Sequence, residues 1–289
     1  MCGAVRDAGA RGICGADERI FVARAALHFW EEPPLSGEAG SGAVFFSYCP
    51  LRCIYCQNAV IAQGRAGLEI SVGRLAEICL ELQAQGALNV NFVTPTHYSL
   101  QIRDAVAQAR SLGLSVPVVW NTSGYEREEV VEALGGTADV YLADYKYADA
   151  ELARLYSNAP DYPEVALAAI GKMVERAGEP RFDVVDGRDR MTGGVIVRHL
   201  LLPGAFETSK RSIKMLWEHF GNSIQYSIMN QYTPVIQGHP QLSTTVPPEE
   251  YERLLDFADA LGIEDYYWQE GPAAEESFIP AWDGSGVQP

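Results

Sequence analysis

The chain has 289 residues, 47% apolar and 21% charged, which is ordinary globular composition rather than that of a disordered protein. Acids outnumber bases 38 to 22, and the net charge of −16 argues against nucleic acid as the main ligand, because neutralising phosphates takes Lys and Arg in excess. No run approaches the roughly 20 apolar residues of a membrane span. The first residues also lack the basic-then-apolar order of a signal peptide, so a cytoplasmic protein with no membrane partner is expected.

About 40 residues precede the first clear rhythm and are expected to be an N-terminal extension, 1–40, wrapping the outside. Gly42–Tyr48 (GAVFFSY) then reads as a buried strand, short, aromatic and opened by glycine. Ser71–Gln85 reads as a helix with Val72, Leu75, Ile78, Cys79 and Leu82 on one face, and Gly86 closes it. Asn89–Val93 is the next strand and Ser99–Ser111 the next helix. Val116–Asn121 and Asp139–Asp144 read as strands on either side of a helix at Glu126–Leu134. Helices near Asp149–Tyr156 and Pro163–Arg176 precede a strand at Val195–Leu202. Ser209–Phe220 is a helix and Ile224–Asn230 a strand. Pro247–Leu261 is a final helix, with prolines at its start and Glu249 and Glu250 in its first turn. Tyr266–Gln269 adds a short last strand.

This alternation implies parallel strands joined by crossovers. Six main strands are fewer than a closed eight-stranded barrel needs. The expected fold is therefore α/β, a partial (β/α)6 barrel over residues 41–270 followed by a C-terminal tail, 271–289. An open doubly wound sheet is the alternative. In both, the loops after the strand C-termini make the binding face.

Three of the six cysteines fall within eight residues: Cys49, Cys53 and Cys56, spaced C-x3-C-x2-C at the end of the first strand. Three thiolates so close in sequence can converge on an iron–sulfur cluster. A four-iron cluster ordinarily takes four cysteines, and supplying three leaves one iron open to a non-protein ligand. Structural zinc would want a second cysteine or histidine pair, and none follows. A dithiol of Cys53 and Cys56 would leave Cys49 unexplained. Cys79 sits on a helix's apolar face as core packing, and Cys2 and Cys14 receive no role.

The spacing, with Tyr55 in the aromatic position before the third cysteine, resembles the radical S-adenosylmethionine (SAM) superfamily. The resemblance implies a [4Fe–4S] cluster on Cys49, Cys53 and Cys56, with SAM on the open iron and Tyr55 near its adenine. It also implies reductive cleavage of SAM to a 5′-deoxyadenosyl radical that abstracts hydrogen, with a reducing flavodoxin or ferredoxin as electron donor. The runs Glu31–Gly37, Thr94–His97, Tyr156–Pro163 and Arg198–Gly204 resemble one branch of the enzymes that activate glycyl-radical enzymes, the pyruvate formate-lyase-activating-enzyme-like (PflX-type) branch. That branch implies a glycyl-radical enzyme, or another protein or peptide, as substrate.

Residue by residue, the resemblance implies cofactor contacts from Thr94 and Thr96, where the superfamily usually carries Gly-Gly-Glu and this chain has no carboxylate. A proline-bearing turn with Thr96 or Ser99 capping a helix is the plainer reading of that stretch. Asn121 is a further implied contact, and Gly124 turns the chain behind it. Asp144 and Lys146 resemble an Asp-x-Lys motif whose carboxylate helps bind a monovalent cation and whose lysine faces the site. A surface ion pair is the alternative there. Arg198 stands in the apolar run VIVRHLLL, where an unpaired charge is expensive, and it matches an arginine that contacts SAM in the activating enzymes. His199 should face the other way, since side chains alternate along a strand, and His97 is left unassigned. Two further readings stay open: a radical SAM enzyme acting on a small molecule or peptide, and a non-enzymatic iron–sulfur electron-transfer or sensor protein.

Overall fold

The structure, a computed structural model, describes residues 5–6, 9–269 and 279–289. Cys2 and residues 271–278 of the expected tail lie outside the described residues. The strands are β1 (Ile20–His28), β2 (Ser41–Phe46), β3 (Leu68–Ile70), β4 (Val90–Val93), β5 (Val118–Thr122), β6 (Val140–Asp144), β7 (Arg181–Val185), β8 (Arg188–Leu200), β9 (Gln225–Met229) and β10 (Tyr266–Tyr267). The helices are α1 (Pro33–Ser36), α2 (Ala59–Ala62), α3 (Val72–Ala84), α4 (Ser99–Ser111), α5 (Glu128–Ala133), α6 (Ala150–Ser157), α7 (Tyr162–Ala177), α8 (Phe206–Phe220) and α9 (Pro248–Leu261).

All six expected strands are present, and they lie side by side in chain order as β2-β4-β5-β6-β8-β9, every neighbouring pair parallel. A doubly wound sheet reverses its strand order partway. This one never does, so it winds one way as a partial barrel. β10 extends it in parallel at one edge, while β1 and β3 extend it antiparallel at the other. Among the described residues the two edges do not pair, so the sheet there stays open at its side.

Alternation along the strands sorts side chains into two layers. Trp120, Tyr141, Val195 and Val197 face the helices within the main core. Val119, Val140, Leu142 and Ile196 face the lumen and pack around Leu35 of α1, which is fully buried. Here the structure departs from the sequence reading. The first 40 residues do not simply wrap the outside: Ile20–His28 is a sheet strand, and the segment after it folds under the barrel and plugs it with Leu35. β1 runs antiparallel to β2, His28 opposite Ser41, so its end delivers Glu31 to Ser36 to the pole where β2 begins. The β7–β8 hairpin was also not anticipated. It turns at Asp186-Gly187, both with positive φ, which suits the tight turn an Asp-Gly pair favours.

Candidate active site

Above the Leu35 plug lies a polar layer built by register. Asp144 pairs with Arg198, and Arg198 with Ser227, across β6, β8 and β9, so all three side chains share the lumen face. Arg198 donates through Nε to Asp144 Oδ1 at 2.8 Å, through Nη2 to Asn121 Oδ1 at 2.7 Å, and through Nη1 to Glu31 Oε2 at 3.2 Å. Glu31 accepts on its other oxygen from Asn91 at 2.9 Å and Asn121 at 3.1 Å. Lys146 donates to Asp144 Oδ2 at 2.6 Å. A buried charge needs this density of partners, because desolvation alone would neutralise it.

The acidities follow from that packing. Burial alone would raise Asp144, but the charges of Arg198 and Lys146 more than offset it and hold the carboxyl below its usual range. Burial would likewise lower Arg198 and Lys146, yet Asp144 beside both keeps each above its ordinary value. Glu31 and Glu32 are pushed up, by burial first.

Over this layer opens a cavity of about 510 Å³, a volume suited to a cofactor-sized ligand. The loop after β2 supplies Cys49, Tyr55, Cys53 and Cys56 to its wall, and Thr94, Asn121, Asp144, Lys146 and Arg198 come from the ends of successive strands. Two non-glycine residues at strand ends, Tyr48 (φ 73°) and Thr94 (φ 59°), hold left-handed backbone. Such strain costs about 1–2 kcal/mol per residue and gathers at sites that require a particular loop path. Gly124 has left-handed backbone too (φ 73°) and meets a second need: a Cβ there would sit 2.4 Å from the Asp144 carbonyl oxygen, so the β5 loop lies directly on the end of β6.

The cysteine loop is fixed by its neighbours. Ile54 N–H donates to the Tyr156 carbonyl at 2.8 Å, and Cys53 Sγ lies 3.0 Å from Ser157 Oγ. Ser157 meets the Tyr147 hydroxyl at 2.8 Å, which donates to Tyr55 at 2.7 Å. The Tyr55 ring meets Tyr147, Tyr156 and Tyr232 edge-on. None of the three thiols is in a disulfide. Burial raises all three, and Cys53 and Cys56 raise Cys49 further, while Cys56 is pushed up to about 11. Buried thiols such as these give up their protons more readily once a cationic metal group offsets the cost of burial. Among the described residues no three Cys, His, Asp or Glu groups close on a single ion. Thiols are the donors that iron–sulfur clusters take, and Cys49, Cys53 and Cys56, all lining one cavity, are the residues that could hold one.

Other expectations need correction. Thr96 does not line the cavity: its hydroxyl donates to buried Glu126 at 2.6 Å, alongside Thr122 and the Trp120 indole. The monovalent cation implied beside Asp144 finds both carboxylate oxygens already engaged, by Arg198 and Lys146. The Asp144–Lys146 pair is not on the surface. His97 is buried with Nε2 at 2.8 Å from the Ser47 carbonyl and does not line the cavity. His199 faces the helix layer, its Nδ1 2.7 Å from the Tyr145 carbonyl.

Sequence reasoning gave no role to Glu31, Glu32, Asn91, Tyr147 or Tyr156, whereas Tyr232 belongs to the stretch Met229–Tyr232 that it turned toward the substrate opening. Asn91 carried a readable signal, an amide inside the strand NVNFV that must face the lumen or lose its partners. Glu31 and Glu32 stood in the run Glu31–Gly37 that carries the family resemblance, but they follow a strand that the local pattern did not reveal, so nothing placed them in the lumen.

A family model described as the Radical SAM superfamily matches residues 43–193. The uncharacterized protein MJ0674 of Methanocaldococcus jannaschii is 26% identical over 271 residues, covering 89% of this chain and 72% of its own. Among solved structures, SuiB of Streptococcus suis is similar with a TM-score of 0.52 and 15% identity over 78% of this chain. The chain spans about half of SuiB, 47%. A radical SAM methyltransferase from Sphaerobacter thermophilus matches with a TM-score of 0.50 and 13% identity, over 80% of this chain and 67% of its own. At such identities these structures speak for the fold alone.

Proposed function

The chain belongs to the radical SAM superfamily, and on that premise we propose that it abstracts hydrogen from a protein or peptide substrate admitted through the open side of the barrel. The observation that carries this reading is the shared cavity: three thiols on one wall and the Arg198–Asp144–Lys146–Asn121 layer beneath them. Cys49, Cys53 and Cys56 would hold a [4Fe–4S] cluster. Such a cluster would supply the electron for reductive cleavage of SAM to methionine and a 5′-deoxyadenosyl radical, the species that would take a hydrogen atom from substrate.

The chain's own residues bind and shield. Arg198 and Lys146, held charged by Asp144, present positive groups suited to the carboxylate of SAM. Thr94 offers a hydroxyl in place of a carboxylate, and Asn121 an amide. Tyr55, fixed by its hydrogen bond from Tyr147, gives an apolar face to the adenine. The tyrosines behind it, all buried, keep water from the radical.

A protein or peptide substrate is favoured by the gap between the sheet's edges, where Phe29, Trp30 and Trp268 stand at the cavity mouth with about half their surfaces exposed. SuiB, which this chain matches over 46% of its length, has been crystallised bound to the precursor peptide SuiA. The activating-enzyme reading takes a glycyl-radical enzyme as that protein, with a reducing flavodoxin or ferredoxin supplying electrons in the cytoplasm. Thr94 in place of the superfamily's usual carboxylate favours a second reading, a substrate outside the glycyl-radical enzymes.

Anaerobically reconstituted, dithionite-reduced protein is expected to produce 5′-deoxyadenosine from SAM, and Cys53→Ala to produce none. A wild type that holds its cluster yet neither binds nor cleaves SAM would sink the reading in favour of an electron-transfer or sensor protein. Incubation with candidate glycyl-radical enzymes, followed by electron paramagnetic resonance, separates the two substrate readings: a glycyl signal selects the first.

A further inference from the structure

The run Tyr156–Pro163 carries part of the family resemblance, yet none of its residues lines the cavity. Its contacts lie behind the cysteine loop. Two bonds at successive positions fasten the run to that loop in antiparallel order. Ile54 N–H donates to the Tyr156 carbonyl, and Cys53 Sγ meets the hydroxyl of Ser157, the last residue of α6. Asn158, with φ 52°, then closes the helix in left-handed backbone, which sets where Ser157 stands. Ser157 is 2% exposed and Tyr147 1%, so their hydroxyls bond one another rather than solvent.

The direction of these bonds follows from counting protons. Cys53 Sγ, Ser157 Oγ, Tyr147 Oη and Tyr55 Oη make three contacts in a row, at 3.0, 2.8 and 2.7 Å. With Cys53 a thiol, Tyr147 donates to Tyr55, which leaves Ser157 to donate to Tyr147 and the thiol to Ser157. A cysteine bound to iron is a thiolate and has no proton to give. Three hydroxyl protons then serve three contacts, and one arrangement alone fills them all. Ser157 donates to the sulfur, Tyr147 to Ser157 and Tyr55 to Tyr147. Each hydroxyl turns about its C–O bond, and no heavy atom has to move. Backbone amides serve the other two sulfurs, Leu51 at Cys49 and Asn58 at Cys56. Among the described residues, Ser157 alone brings a side-chain donor to any of the three.

We propose that Ser157 is a positioning residue whose O–H···S bond to Cys53 raises the reduction potential of the bound cluster, with Tyr147 and Tyr55 keeping that hydroxyl turned to the sulfur. The proposal rests on the reading of Cys49, Cys53 and Cys56 as cluster ligands. One electron takes a [4Fe–4S] cluster from the 2+ to the 1+ state, and part of the added negative charge falls on the cysteine sulfurs. A proton donor at one of them stabilises the reduced form more than the oxidised form, so the electron is accepted at a higher potential. Each further hydroxyl in the row polarises the one before it and strengthens the bond to sulfur.

The test uses the full chain reconstituted anaerobically. Its cluster is titrated with titanium(III) citrate through redox mediators, without SAM, and the reduced form is followed by electron paramagnetic resonance. Ser157→Ala is expected to shift the midpoint to a more negative potential. Ser157→Thr, which keeps the hydroxyl, should stay near wild type. Tyr147→Phe, which keeps the donor but removes the group that orients it, should shift in the same direction as Ser157→Ala, by less. A Ser157→Ala midpoint equal to or above wild type overturns the proposal. So does a Ser157→Thr midpoint as low as that of Ser157→Ala, which would assign the effect to packing. If Ser157→Ala holds no cluster, Tyr147→Phe decides, and an unshifted midpoint there overturns it. Iron and sulfide content of the wild type is measured first. A wild type that takes up no four-iron cluster sinks the reading of the three cysteines, and this proposal with it, whereas a loaded protein whose midpoint ignores Ser157 sinks the proposal alone.

Discussion

Arg198 shows how one residue is fixed by its partners. Its guanidinium is bonded to two carboxylates and an amide in a layer with little solvent, and this is affordable only because each donor meets an acceptor. Replacing it with Met would leave Glu31 and Asp144 buried without their main cation. Breaking such a group from one side typically costs about 3–5 kcal/mol. Arg198→Met should therefore unfold at clearly lower urea concentration than wild type, by a change in midpoint with unchanged slope. Wild-type stability in that variant would mean that the polar layer is hydrated rather than closed. The arginine itself was legible, since a lone charge in VIVRHLLL has to be explained. Its partner Glu31, 167 residues earlier, was not.

At the scale of elements, the short α1 matters beyond its four residues. Pro33 and Pro34 start it without requiring early N–H acceptors, and Leu35 is driven into the ring of Val119, Val140, Leu142 and Ile196. Leu35→Ala would leave a void at the base of the lumen, at an expected cost of about 2–5 kcal/mol. Because the plug also sets where Glu31 and Glu32 enter, the variant should lose Arg198's ordering as well. Hydrogen exchange at β6 and β8 would report this, and protection there identical to wild type would separate the plug from the polar layer. The strands themselves were readable from short apolar runs, and the helices from a 3.6-residue period. Boundaries shifted by a few residues, and the β7–β8 hairpin was passed over because its outer half is exposed and polar, although Asp186-Gly187 marks its turn.

For the whole molecule, the buried histidines give stability a pH signature. His97 and His199 each place one ring nitrogen against a backbone carbonyl and bury the other without a partner, and burial lowers both to about 4. Below the ordinary histidine value of about 6.5 the unfolded chain takes up protons that the native state refuses, so stability is lost as pH falls from there through 4. Glu31 and Glu32, whose acidities are shifted up, act in the opposite sense, retaining protons in the native state that the unfolded chain gives up. A difference experiment isolates one histidine. His199→Gln should flatten the stability–pH slope between 6.5 and 4 by about 1.4 kcal/mol per pH unit. An unchanged slope would show that His199 is protonated in the native protein. The closing segment also acts at this scale: Gly284 and Ser285 exchange backbone hydrogen bonds with Ala23 and Ala25 of β1. A Cβ on Gly286, whose φ is 70°, would sit 2.0 Å from the Ala25 carbonyl oxygen.

The sequence by itself determined whatever depends on near neighbours along the chain: the strand and helix order, the three-cysteine loop, the lumen-facing parity of Arg198 and the opposite parity of His199. Those follow from periods of two and 3.6 and from a ligand spacing of a few residues, which no distant contact can alter. Only the tertiary structure decided that the sheet winds in one direction, that the segment after β1 enters the barrel from below, that Thr96 turns to Glu126, and that Glu31 and Glu32 come to lie buried within reach of Arg198's charge. These rest on which strand edge Ile20–His28 joins and on how charges from far-apart positions add up in one closed space. Neither quantity exists until the chain has folded.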